Sequence, residues 1–292
     1  MRLANSILGG PNHYYTSGAT GFGGDMRAAY RRRLLASSRL WTPAISAYQT
    51  ALDSSLAMIA DPAARDLGIA TGNAYANAVL GMRSADGSTA SAPYVPTDAP
   101  GDYMTTGAGN AALPHWGGGH AVPDVVRDQF RPAPPPALES PEYAVAYNEV
   151  KEIGSASSAT RTADQTASAL FWYAANGAPW TRIGLTIAED EGLSTLGNAR
   201  VFALLSSGLA DALIAGFGSK YAYRFWRPVS AIHEGDADGN PLTERDAGWT
   251  SVFGSPLHPS YMSTHSALSG AGENHLDGFL RRRRSIHPHH RR

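Results

Sequence analysis

The sequence predicts an all-α protein, a helical bundle interrupted by one long loop excursion. Three observations lead there. Apolar residues recur at three- and four-residue steps, no alternating strand pattern or βαβ rhythm of useful length occurs, and the most apolar stretch, Ala199 to Ser219, has the length of a helix. Residues 1–40 lack a clear period and read as a poorly defined N-terminal segment of loop with at most one short helix. From Pro43 the stripe Ile45, Tyr48, Leu52, Leu56 and Ile59 marks an amphipathic helix. Asp61-Pro62 supplies a cap and first turn for a second, alanine-rich helix reaching about Arg83 and ended by Asp86-Gly87.

Residues 84–139 are crowded with glycine, proline, serine and threonine. Their aromatics, Tyr94, Tyr103, Trp116 and Phe130, predict a loop packed on the domain rather than a free tether. Ser140-Pro141 opens a helix to about Ile153, Thr162 and Gln165 form a capping-box spacing ahead of Leu170-Phe-Trp172, and a fifth helix is expected to begin near Leu185. Ala199 to Ser219 then reads as a buried central helix. It is long enough to span a bilayer, but it carries Arg200 and Asp211, and a charge at mid-span is costly in lipid, so no membrane span is expected.

With 292 residues and 43% hydrophobic content, the chain can bury a sizeable core. It has no cysteine, which excludes disulfides, thiolate zinc sites, iron–sulfur clusters and a cysteine nucleophile. The formal charge of −1 becomes −7 once the six arginines between Arg281 and Arg292 are set aside, so the body of the chain is not a nucleic-acid surface. The apolar run before Pro11 is too short for a secretory signal, and the compartment and oligomeric state stay open. Lysine occurs only at Lys151 and Lys220, so a lysine in a chemically suggestive cluster carries unusual weight.

Such a cluster follows the central helix: Lys220-Tyr-Ala-Tyr-Arg-Phe-Trp-Arg227-Pro228. Seven residues are about two turns of helix, so Lys220 and Arg227 project from one face with Arg224 on nearly the same side. That face is either solvated or half of an oxyanion clamp, the lysine a point charge and the arginine a planar fork. A second segment, Leu257 to Ala267, sets hydroxyl residues ahead of a helix start, where free N–H groups and the helix dipole attract an anion. Ser263 can add a hydroxyl. His265 is either a cap or surface group, or an acid–base group beside the anion; His258 is either a supporting group or a loop histidine. Asp236, Asp238 and Asn240 imitate the start of a calcium loop, but Pro241 and Ala247 stand where glycine and glutamate belong, so a plain turn is expected. Trp116-Gly-Gly-Gly-His120 lacks the lysine–hydroxyl pair of a phosphate loop.

Lysine, six residues and Arg-Pro, followed by the turn around Ser263 and His265, resemble the first two signature blocks of the vanadium-dependent haloperoxidases and the related type 2 phosphatidic acid phosphatases. The stretches Arg227 to His233, Gly235 to Pro241, Leu113 to Trp116, Gln129 to Pro132 and Arg161 to Gln165 resemble bacterial members, and the likeness covers roughly Leu40 to Gly272. It implies a helical domain of the haloperoxidase and acid phosphatase type at 41–272. The Arg/His-rich stretch 273–292 reads as a non-native or disordered tail. The resemblance implies vanadate as cofactor, or phosphate as substrate or bound anion. Lys220, Arg227, Ser263 and the amide of Thr264 would be its ligands, His265 the acid–base group, and Arg224 and His258 supporting groups. Hydrogen peroxide, halide and a small organic acceptor would be the partners of a peroxide-driven halide oxidation. Phosphomonoester or lipid phosphate hydrolysis at the same site is the alternative. Family members are often exported.

Two local departures stand out: Met262 where the family has proline, and Thr264 where it has glycine and a side chain would crowd the anion. The third block, Ser-Arg followed after five residues by the histidine that bonds vanadium, is expected well beyond His265. Arg281 with His287 has its arginine–histidine spacing, but so do Arg283 with His289 and Arg284 with His290. The change of composition near Glu273 reads as a truncation or shifted reading frame, which makes an inactive oxyanion-binding fragment a third reading.

Overall fold

A computed structural model describes residues 45–82, 84–87, 90–107, 109–117, 129–173 and 178–286. Segment 1–40, the glycine run at 118–120 and His287 therefore lie outside the described residues. Among the described residues eight α-helices occur: α1 (Ile45–Ala57), α2 (Pro62–Met82), α3 (Pro141–Ile153), α4 (Ala163–Tyr173), α5 (Ala178–Asp190), α6 (Thr195–Tyr223), α7 (Pro228–His233) and α8 (Thr264–Ile286). A 3-10 turn spans Pro114–Gly117, and pairing outside helices is limited there to isolated bridges, Asp102 with Phe225 and Ser155 with Ser251. The protein is all-α, as its periodicity predicts.

The caps are the local reason these helices start where they do. Asp61 Oδ1 accepts from the Ala63 amide at 2.9 Å, and Ser140 Oγ accepts from the Tyr143 amide at 3.1 Å with Pro141 in the first turn. Thr162 and Gln165 cap reciprocally: the Thr162 amide donates to Gln165 Oε1 at 2.8 Å and the Gln165 amide to Thr162 Oγ1 at 3.1 Å. Helix α5 begins at Ala178 rather than near Leu185, with Pro179 in its first turn. Residues 273–286, part of the stretch expected from sequence to be a non-native or disordered tail, continue α8 as helix. Arg281 there makes an exposed pair with Asp277 at 2.5 Å, one helical turn away.

The chain divides into two compact units, each discontinuous in sequence. The first contains α1, α2, α5, residues 195–207 of α6 and residues 272–286 of α8. Its buried residues include Leu52, Ala76, Ala188, Val201, Phe202, Leu205 and Leu276. Close helix contact is set by glycines: a Cβ on Gly184 would stand 3.0 Å from Leu205 and 3.1 Å from Phe202, and one on Gly272 would collide with the Trp180 indole.

The second unit contains the loop excursion, α3, α4, residues 208–223 of α6, α7 and the first turns of α8. Helix α3 packs on α7 around Tyr143, Tyr147, Trp226, Ala231, Ile232 and Trp249. The turn after α7 is pinned by Asp238, whose carboxylate accepts from the Asn240 amide at 2.8 Å and from Thr243 Oγ1 at 2.8 and 2.9 Å, with Gly239 at φ 77°. It is the Asp-Gly-Asn turn expected from sequence. The excursion is packed, with Tyr103 at 0% exposure, but Phe130 departs from that expectation at 60%. Helix α6 is long and apolar enough to cross a membrane, and half of its most apolar window is buried within the protein.

Candidate functional site

Helix α6 stops at Tyr223 because Arg224 takes φ 52°, a left-handed conformation that L residues adopt only when something holds it. Asp102 supplies that hold, accepting from Arg224 Nε at 2.8 Å and Nη2 at 2.7 Å, while Nη2 also reaches the Val95 carbonyl at 2.8 Å. Burial pushes the Asp102 carboxyl up, but hydrogen bonds from Arg224 and Thr97 outweigh it and hold it below its ordinary range. The chain then runs extended. The Tyr103 amide donates to Arg224 O at 2.6 Å and the Trp226 amide to Gly101 O at 2.9 Å. Arg227 (φ −84°, ψ 153°) precedes α7, with Pro228 as the first helical residue. Lys220 and Arg227 therefore do not share a helical face, contrary to the sequence expectation: the break at Arg224 intervenes. The Arg224 guanidinium, expected from sequence to support the anion, is bonded to Asp102 and lies 4.9 Å over the Tyr94 ring.

Lys220 and Arg227 converge through tertiary structure instead. Both reach the loop 258–260. Lys220, 1% exposed, donates through Nζ to the carbonyls of Pro259 and Ser260, each at 2.8 Å. Arg227 Nε donates to His258 O at 2.6 Å, and its Nη2 lies 2.7 Å from His258 Nδ1. The Ser260 amide donates to Phe225 O at 2.8 Å, tying the loop to the segment that carries Arg227.

Among the described residues, no carboxylate pairs with Lys220 or Arg227. One Nζ proton of the lysine and Nη1 of the arginine also lack a protein acceptor. Burial first, then repulsion by Arg227, drives the Lys220 ammonium down to about 7. Burial likewise lowers Arg227 to about 10. His258 is pushed down to about 4 by burial, then by Arg227 and Lys220, so it is neutral near pH 7 and its Nδ1 is free to accept from Arg227. Its ring meets Phe217 of α6 edge-on, 5.2 Å between centroids.

The start of α8 adjoins this loop. Ser263 Oγ accepts from the Ser266 amide at 3.2 Å, which caps the helix and leaves the hydroxyl proton able to donate. No carbonyl accepts from the amides of Thr264 and His265. Thr264 Oγ1 is buried without a partner, and its side chain lies along α6: a Cβ on Gly216, one turn before Lys220, would stand 3.9 Å from both Oγ1 and Cγ2. The threonine expected to crowd an anion thus rests where α6 has a glycine. His265 is exposed.

Sequence reasoning missed Tyr103, fully buried with no partner for its hydroxyl and electrostatically coupled to Arg227. No local pattern marks it, because the residue that positions it, Arg224, is distant in sequence. Among the described residues no group of three or more His, Asp or Glu is arranged to hold a metal cation.

Residues 200–289 match the family model described as the VCPO second helical-bundle domain. The vanadium chloroperoxidase of Curvularia inaequalis is 30% identical over 173 residues, 48% of this chain and 28% of that protein. The chain therefore spans little more than a quarter of the curated relative's length. Among solved structures, a bacterial vanadium-dependent iodoperoxidase superposes with a TM-score of 0.66 at 24% identity, over 86% of this chain and 63% of that one. The matched segment and the curated relative support a vanadium haloperoxidase-like superfamily for this chain, and the solved structure shares its helical fold.

Proposed function

We propose that the chain binds vanadate between Lys220, Arg227 and the start of α8, and that it uses hydrogen peroxide to oxidise halide, which a small organic acceptor then takes up. One observation carries the reading: a buried lysine and a half-buried arginine converge on one loop without a carboxylate. A polyoxo anion offers only acceptors. It complements the remaining Nζ proton, Nη1 of Arg227, the Ser263 hydroxyl and the Thr264 amide, and it offsets buried charge that the chain leaves unpaired. When bound, vanadate supplies Lewis-acid activation of peroxide. The chain's own residues do the rest. Lys220 and Arg227 hold and orient the anion, His258 stays neutral and fixes the arginine fork, and exposed His265 exchanges a proton between solvent and peroxide.

The test is reconstitution with orthovanadate, followed by triiodide formation from iodide and peroxide. Turnover should depend on vanadate, and His265→Ala should lower it by about a hundredfold or more while leaving vanadate affinity within about threefold. Turnover that ignores vanadate ends the reading, and turnover unchanged in the variant removes His265 from it.

The same donors would hold a phosphate ester, so a phosphatase is the second reading. It requires cleavage of para-nitrophenyl phosphate that vanadate inhibits. If both activities fail while the anions still bind, the third reading, an oxyanion-binding module, stands.

A further inference from the structure

We propose that the phenolic hydroxyl of Tyr103 is a further donor to the anion held by Lys220 and Arg227, an inference that rests on reading that pair as an oxyanion clamp. Tyr103 has 0% exposure, and its hydroxyl finds no acceptor. The residue is fixed from both sides. Its amide donates to Arg224 O at 2.6 Å, its carbonyl accepts from Tyr94 Oη at 2.8 Å, and its ring lies 5.5 Å from that of Tyr94. It sits on the extended stretch paired with residues 224–226, directly ahead of Arg227, and its phenol interacts electrostatically with that guanidinium.

Other phenols of this unit find carbonyls: Tyr147 donates to Glu244 O at 2.7 Å, Tyr223 to Pro132 O at 2.5 Å, Tyr261 to Ala133 O at 2.7 Å, and Tyr221 to Ala112 O. Tyr143 also lacks a partner, but it lies in the aromatic core with Trp226. Tyr103, unlike Tyr143, joins an unpartnered hydroxyl to the neighbourhood of a half-buried cation. A guanidinium only donates, so Arg227 cannot accept the phenol's proton. An anion with several oxygens satisfies both, and a buried donor kept without an acceptor calls for one from outside.

The experiment uses the full chain, with orthophosphate and orthovanadate as probes in calorimetric titrations and thermal melts. In Tyr103→Phe the Tm without anion should stay or rise, because phenylalanine fills the same space without the orphaned hydroxyl. Affinity for both anions should fall about tenfold and the anion-induced rise in Tm should shrink. Tyr221→Phe, which removes a phenol already bonded to a carbonyl, should keep affinity within about twofold. Undiminished affinity in Tyr103→Phe overturns the proposal and leaves the clamp standing, and a lowered anion-free Tm with unchanged affinity reassigns the residue to structure. If the parent chain binds neither anion, the clamp reading falls and this inference falls with it.

Discussion

Arg224 and Arg227 are separated by three positions, yet Asp102 takes Nε and Nη2 of the first while the second, half-buried, reaches a loop with no carboxylate. The difference separates two uses of a cation. A charge neutralised within the chain shapes backbone: the Asp102–Arg224 pair holds a left-handed residue and ends a long helix. A charge left unneutralised in the interior destabilises the fold by itself and is stabilised when a complementary ligand arrives.

Removing the unneutralised charge should have the largest effect. Lys220→Met is expected to lose more than about a hundredfold in vanadate and phosphate affinity by calorimetric titration, since it deletes a buried point charge. If affinity is kept, the contrast between the two cation types collapses. Breaking the neutralised pair should do something different. Asp102→Asn is expected to lower unfolding stability by about 1–3 kcal/mol in denaturant titrations, with anion affinity falling far less than in Lys220→Met. A larger loss of affinity than of stability would mean that Arg224 belongs with the site after all.

The smallest effect is a matter of protons. Lys220 titrates near 7 in the folded chain, whereas an unfolded lysine titrates near 10.4. Between those values the unfolded chain binds more protons, so stability of the anion-free protein should rise with pH across that window. A bound anion favours the ammonium. Binding above pH 7 should therefore take up protons, weaken as pH increases, and lose this dependence in Lys220→Met; titrations in buffers of different ionisation enthalpy would measure the uptake.

Local chemistry was the legible part of the fold. The caps at Asp61, Ser140 and Thr162 were readable because donor and acceptor lie within three residues of each other. The start of α5 was misplaced because Pro179 was overlooked in favour of the apolar residues that follow. The face shared by Lys220 and Arg227 was a sound inference from periodicity that failed at one residue, for a reason 122 positions away in Asp102. Resemblance to known signature blocks brought the 220–228 and 257–267 segments together on the page. Only the folded chain reveals that they meet through main-chain carbonyls and that Tyr103 is buried on the stretch paired with residues 224–226.

Those carbonyls carry a consequence for variation. Lys220 and Arg227 are seated by the oxygens of residues 258, 259 and 260, which every amino acid possesses, proline included. Point replacements along that stretch leave the anchoring oxygens in place, whereas adding or deleting one residue shifts all three. Divergent descendants should therefore tolerate changes of spelling there far better than changes of length.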